Sequence, residues 1–386
     1  MIYFVVGDEG SFSIRYYLDE EGSALRDTMR VVLYDDLARL DRLPLGTWVF
    51  TETDRLSDAE RTLTLLACDR LAAARAGVMN DPRRTLLRYD LLRAANAGGV
   101  NRFQAWPATG VIFRRNGRRA TRTAETIVAE ALRFPVFIRL ANRHTGNLTP
   151  LLDSPRRLEA ALASLMAARH RLDDLLAVEF CDTKDEHGIY RKYSAYKIGD
   201  RVVPRYLECS REWMVKWDWR IFDRVRADEE AHYLATNPHE AWIRRVFDLA
   251  GIDYGRVDYG VLDGAPQAWE INTNPTIGRG PGPKVPYRPD VAAYKEMLAP
   301  AFGTFYEKFE DAWRAVDTAD SAGSVEFDIP RGLRRAIKTG ARHRRLAERV
   351  GALMGVIARQ TWVRPVTRLV KRGLASVAST RLRLGR

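Results

Sequence analysis

Two acids and an amide fall close together in "GRVDYGVLDGAPQAWEINTNP", residues 255–275. Asp258 and Glu270 each sit inside an apolar, strand-like run, and Asn272 follows two residues after the second acid. A carboxylate in such surroundings costs free energy unless it is paired, hydrogen-bonded or bound to a metal. "RVDYGVL" and "QAWEIN" flank the turn "DGAP", and Asp263-Gly264 is a strong hairpin signal. The two-residue period puts Glu270 and Asn272 on one face of their strand. Asp258, on the partner strand, comes within reach across the pair. Two carboxylates and an amide oxygen are hard donors. They suit Mg²⁺, which takes few protein ligands and completes its shell with water and phosphate. The alternative is an ion-pair network, Asp258 with Arg256 and Glu270 with another cation. Two acids alone favour the network, and the residues leave both readings open.

The elements that must position this hairpin can be read along the chain. "IYFVV" and "TWVFTET" look like buried strands. "LSDAERTLTLLACDRLAAARAG" reads as a helix, with Ser57 as N-cap, Glu60 completing a capping box and Gly77 as its stop. A small α/β unit is therefore expected over about the first 95 residues. "NDPRRTLLRYDLLRAANAGG" reads as a second capped helix closing on Gly98-Gly99. "RFPVFIRLA" and "LLAVEF" are strands, with the helix "SPRRLEAALASLMAARHRL" between them. "KYSAYKIGDRVVPRYL" is a hairpin turning at Gly199-Asp200. "HEAWIRRVFDLAG" and "APAFGTFYEKFEDAWRAV" are helices, and "DTADSAGS" reads as a linker.

This order resembles the ATP-grasp superfamily, most closely its D-alanine–D-alanine ligase-like members. There a strand carrying Arg-x-Asp precedes a strand ending Glu-x-Asn-x-x-Pro; here the residues are Arg256, Asp258, Glu270, Asn272 and Pro275. The resemblance covers about 96–310. It implies an α/β (α+β grasp) fold, with a small N-terminal α/β domain at 1–95 and a two-lobed ATP-grasp domain at 96–316. A linker at 317–330 and a basic amphipathic helical tail at 331–386 follow.

Carried over by residue, the resemblance implies that Asp258, Glu270 and Asn272 hold one or two Mg²⁺ ions on ATP. It makes Arg256 the stabiliser of an oxyanion and places Asn274 in the acceptor pocket. Arg139 stands where the family keeps a phosphate-binding cation, usually Lys; a surface salt bridge is its other reading. The loop "NRHTGN" has a single glycine, Gly146, where relatives are rich in Gly and Ser. His144 and Thr145 there could donate hydrogen bonds. "LLAVEFCDT" resembles the hinge that receives adenine, with backbone groups near Glu179 and Phe180 reading its edge and Asp182 taking a ribose hydroxyl. Lys216 falls at another phosphate-binding position. Lys192 and Lys197, five apart, point to opposite strand faces, so one alone can meet the cleft. Arg205 is a candidate for an acidic acceptor. Trp213, Trp217 and Trp219 read as packing or a lid.

The expected activity is ATP- and Mg-dependent joining of a carboxylate to an amine through an acylphosphate. A kinase acting on a hydroxyl and a nucleotide-binding scaffold with little turnover are the alternatives. Composition is compatible with each. The net charge of +12 belongs to residues 331–386, which hold sixteen Lys/Arg and one acid. The remaining 330 residues are nearly neutral, with 46 bases and 49 acids. Val350, Met354 and Ile357 give the tail an apolar face, so an anionic membrane surface is the expected partner and nucleic acid is not. Three cysteines, Cys68, Cys181 and Cys209, show neither metal spacing nor a disulfide framework. A cytoplasmic protein, or one peripheral at the inner membrane surface, is expected.

Overall fold

The computed structural model describes residues 1–113, 127–142, 146–277, 288–317 and 322–343. The chain divides into two units, Met1–Asp328 and Ile329–Arg386.

The first unit opens with β1 (Ile2–Val6), α1 (Ser11–Asp19), β2 (Met29–Leu33), α2 (Tyr34–Leu37), β3 (Arg42–Pro44), β4 (Thr47–Phe50), α3 (Asp58–Ala73) and β5 (Gly77–Met79). Four of these strands make a parallel sheet in the order β2-β1-β4-β5. Strands covered on both faces read as continuous apolar runs. Phe4, Val5, Val6, Trp48, Val49 and Phe50 are accordingly all fully buried. The α3 capping box is present: Ser57 Oγ accepts from the Glu60 N–H, and the Glu60 carboxylate accepts from the Ser57 N–H. The end of α3 differs from expectation. Arg75 takes a left-handed conformation (φ 56°) that stops the helix, and Gly77 opens β5 instead.

Next come α4 (Arg88–Ala97), β6 (Ala105–Pro107), β7 (Val111–Ile112), β8 (Ile127–Val128), β9 (Val136–Leu140), α5 (Pro155–Ala167) and β10 (Leu175–Glu179). Helix α4 closes on Gly98 as expected but starts at Arg88 without a side-chain cap. "NDP" opens a separate turn, in which the Arg84 and Thr85 N–H groups donate to Asp81 O. Strands β6-β10-β9 form a small antiparallel sheet. Leu158 and Leu162 of α5 pack against its Val136, Ile138 and Leu175.

A larger antiparallel sheet follows. It is built from β11 (Tyr190–Ile198) and β12 (Arg201–Ser210), then, after α6 (Arg224–Thr236) and α7 (Glu240–Ala250), from β13 (Tyr254–Leu262) and β14 (Ala265–Asn272). Its strand order is β12-β11-β13-β14. Both hairpins turn where the sequence places them. At the second turn Asp263 and Gly264 both have positive φ, 49° and 76°, as a two-residue turn of this hand requires. The unit continues through the long α8 (Pro289–Val316) to β15 (Ser324–Glu326). β15 pairs with β3, so part of the stretch expected as a linker is an edge strand. Three residues are too few to show a period.

The two faces of the large sheet have different fates. Ala195, Val257, Tyr259 and Ala268 face Ile243, Val246 and Phe247 of α7. On the other face Tyr196, Ile198 and Tyr254 join Phe4 of β1 and Phe305, Phe309 and Trp313 of α8 in one core. Further along that second face the side chains become Lys192, Ser194, Asp258 and Glu270. One core thus ties the N-terminal sheet to the base of the large sheet and leaves the sheet's charged end open.

In the second unit, residues 331–343 are helical. Residues 344–386, with Val350, Met354 and Ile357 of the expected amphipathic face, lie outside the described residues. Among the described residues, no helix is long and apolar enough to cross a membrane.

Candidate functional site

The register of the second hairpin decides the site. Asp258 pairs directly with Glu270, and Arg256 with Asn272. Directly opposed residues share a face, so all four lie on one face of the large sheet, with Asp258 and Glu270 lining the cavity described below and Arg256 and Asn272 not among its lining residues. On the neighbouring strand Ser194 pairs with Asp258, and its Oγ donates to Asp258 Oδ1 at 2.7 Å.

Each carboxylate is met by guanidinium. Arg256 donates from Nε to Asp258 Oδ1 (2.8 Å) and from Nη2 to Oδ2 (3.1 Å). Glu270 Oε2 accepts from Arg88 Nη2 at 2.8 Å and from Arg139 Nη2 at 2.7 Å. Arg88 also donates from Nη1 to the carbonyls of Leu140 and Ala141. Burial, helped by the charge of Arg139 and opposed by Glu270, pulls the Arg88 guanidinium down to about 10. Burial works against the charge on Arg256 too, but Asp258 beside it holds that guanidinium well above its ordinary value. The ion-pair reading of the hairpin is thus realised, and the carboxylates still face one another on one surface.

Strands from both antiparallel sheets enclose a cavity of about 170 Å³. Arg139, Glu179, Phe180, Lys216, Asp258 and Glu270 line it, six residues that the sequence nominates separately. Lys192 lines it as well, while Lys197 on the opposite face lies over the Phe247 ring, as the strand period requires. Phe103, Val178, Trp213 and Trp269 supply apolar wall. Trp269 reaches the cavity because a one-residue register shift beside Asp258 leaves it outside the ladder; such bulges re-aim side chains. Gly146, another lining residue, has φ 92°, and a Cβ there would lie 3.5 Å from Lys216 Nζ. His144 and Thr145 of this loop lie outside the described residues.

Several expectations need correction. The Glu179 N–H donates to Gln104 O and the Phe180 N–H to Pro135 O, so neither is available to an adenine edge. The Glu179 carboxylate is held by Arg133 and by the Gln104 N–H. Asp182 is not among the cavity residues; its neighbours Cys181 and Thr183 are. Side chains alternate along extended backbone, and Asp182 turns instead to the Tyr190 hydroxyl and Lys184, both at 2.8 Å. Burial would raise its carboxyl, but those two partners hold it below the ordinary value. Arg205 is set apart, in a second cavity. The remaining nominated residue, Asn274, donates from its backbone N–H to Asn272 Oδ1 at 2.9 Å and from Nδ2 to Gly10 O at 3.1 Å. Its own Oδ1 is buried without a hydrogen-bond partner among the described residues. Arg88 joins the site without a signal in the sequence. Its partner is 182 residues away, and nothing local marks it.

No protein-family model matches the chain, and no curated protein matches it. Solved structures do. It is similar to the D-alanine–D-alanine ligase from Bacillus anthracis complexed with ATP, at 13% identity over 80% of this chain and 98% of that one (TM-score 0.42). The ATP-grasp ligase PsnB complexed with minimal precursor is similar at 12% identity over 81% and 98% (TM-score 0.46). The D-cycloserine synthetase DcsG is similar at 17% identity over 79% and 100% (TM-score 0.40). The likeness is to ATP-grasp ligases. Identities this low leave the chain's own residues to decide what it binds.

Proposed function

We propose that the chain binds ATP with Mg²⁺ in the cavity between its two antiparallel sheets and uses it to join a carboxylate to an amine. The observation that carries this reading is the opposition of Asp258 and Glu270 across one ladder step, facing a cavity that also holds Arg139, Lys192 and Lys216. The donor chemistry fits magnesium arriving with a nucleotide better than a bare ion. Two carboxylates and an amide oxygen are few donors, and phosphate and water complete such a shell. Among the described residues there is no cluster of three or more His, Cys, Asp or Glu that would make a closed metal site.

In this reading Asp258, Glu270 and Asn272 hold one or two Mg²⁺, and the metal, when bound, neutralises phosphate charge. Arg139, Lys192 and Lys216 align the phosphates, because phosphoryl transfer depends on positioning and charge more than on a protein nucleophile. Phe103, Val178 and Trp213 cover the base. A substrate carboxylate oxygen attacks the γ-phosphorus, the bond from that phosphorus to the β–γ bridging oxygen breaks, and ADP leaves. The amine then attacks the acyl carbon; phosphate leaves and the nitrogen loses a proton. Arg256, fixed by Asp258, stabilises the oxyanion of that step. Asn274 reaches Gly10 beyond the carboxyl end of β1, the kind of crevice where α/β sheets take ligands, and lines the acceptor pocket.

A nucleotide-binding protein with little turnover is the second reading, favoured by the direct arginine pairing of both carboxylates. The test is incubation with Mg²⁺, ATP and pooled amino acids, followed by mass measurement of the products. ADP with an amide product supports the ligase. ADP with a phosphoester supports a kinase, and ATP bound without ADP release supports the second reading. Asp258→Asn and Glu270→Gln should each lower ADP formation on the order of 100-fold. Wild-type rates in either variant overturn the assignment.

A further inference from the structure

The second cavity, about 210 Å³, opens on the same face of the large sheet as the first. Lys192 lines the first cavity and its ladder partner Glu208 lines the second, and the two are joined at 2.5 Å. That ion pair is the partition between the two spaces.

The charges around the second cavity do not balance. Glu208 is neutralised from both sides, by Lys192 and by Arg220 at 3.5 Å. Burial would raise its carboxyl, but those cations hold it below the ordinary value, so it stays ionised. Arg220 is in turn paired with the fully buried Glu230 and hydrogen-bonded to the Tyr294 hydroxyl. Two cations remain, Arg205 and Lys295, and neither forms an ion pair with the described residues. Arg205 donates from Nη2 to Ile277 O at 3.1 Å, and its Nε is buried with no hydrogen-bond partner among the described residues. A register shift beside Ser194 leaves Arg205 outside the ladder, and its guanidinium lies 4.5 Å over the Phe305 ring. Lys295 lies 5.5 Å over Trp217. Trp217, Tyr294, Phe302 and Tyr306 wall the space with aromatic surface.

An aromatic box with two cations that have no carboxylate partner among the described residues selects a ligand with a flat or apolar body and an anionic end. We propose that this cavity receives the carboxylate- or phosphate-bearing end of the second substrate, with Arg205 and Lys295 as its counter-ions and the aromatic walls around its body. This rests on the ligase reading, since the Lys192–Glu208 partition puts such a substrate beside the nucleotide cavity.

The test is ligand-observed NMR on the full chain with 3-phenylpropionate, phenyl phosphate and the neutral 3-phenylpropanol. Either anion should bind at least tenfold more tightly than the alcohol, and the tighter anion identifies the end group. Arg205→Met and the exposed Lys295→Met should each weaken anion binding about tenfold and leave the alcohol unchanged, and Arg205→Lys should restore part of the loss. Equal binding of alcohol and anions, or no effect of Lys295→Met, overturns the proposal. A parallel titration with a nonhydrolysable ATP analogue and Mg²⁺ separates the two claims. Its failure overturns the nucleotide reading, and with it the role of the bound anion as a second substrate, whatever the NMR titration shows of anion binding; its persistence in Arg205→Met shows that any loss is confined to the second cavity.

Discussion

Arg88 Nη2 lies 2.8 Å from Glu270 Oε2, and the same guanidinium holds the carbonyls of Leu140 and Ala141 where β9 runs into the loop that carries Gly146. One side chain from α4 thus ties the small sheet to the large one at the point where the carboxylates face each other. Its side chain is only 5% exposed, so removing it strands buried acceptors. Arg88→Met should therefore lower the unfolding free energy by about 2 kcal/mol, because the Leu140 and Ala141 carbonyls lose a buried donor while Glu270 keeps Arg139. Urea unfolding measures this. A loss below about 1 kcal/mol, the scale of an exposed pair, would mean that Arg88 is dispensable to the junction.

The turns, the capping box and the shared face of Glu270 and Asn272 were legible because each is set within a few residues. Asp263-Gly264 fixes the turn, but its register carried onward would set Asp258 opposite Trp269; the bulge beside Asp258 puts Glu270 there instead. Arg88 was hidden because its partners are distant in sequence. The bulges that re-aim Arg205 and Trp269 have no local signature either, since each depends on how two strands slip past one another. That the N–H groups of Glu179 and Phe180 are engaged was not legible for a related reason. Which N–H groups of a strand are taken depends on its neighbours, and here Gln104 and Pro135 take them.

Lys192 and Lys216 should bind phosphate directly if the first cavity is the nucleotide site. Lys192→Met and Lys216→Met are each expected to weaken binding of a Mg²⁺–ATP analogue about tenfold, as loss of one charge-assisted hydrogen bond implies. Calorimetric titration decides it. Unchanged affinity in both variants would place the phosphates elsewhere.

The loop glycine gives a test of backbone geometry. Gly146 at φ 92° occupies a region that side chains rarely adopt. Gly146→Ala should cost about 1–3 kcal/mol of local strain. Because Lys216 Nζ would be its neighbour, nucleotide affinity should fall along with stability. A variant with wild-type stability and wild-type affinity would show that this conformation is not required.

Glu208 offers a prediction in pH. Its carboxyl is held below its ordinary value of 4.5 because Lys192 and Arg220 outweigh the effect of burial. A depressed carboxyl contributes stability above the unfolded-state value and loses it as pH falls through the folded one. Glu208→Gln removes that contribution while keeping the shape. The variant should therefore be less stable than the wild type above about pH 4.5, and the gap should close as the solution is acidified below that value. Unfolding free energies measured between about pH 3 and 7 give the comparison. A gap that stays constant across that range would show that Glu208 is bound no more favourably as a carboxylate than as an acid, and the Lys192–Glu208 partition would lose its electrostatic basis.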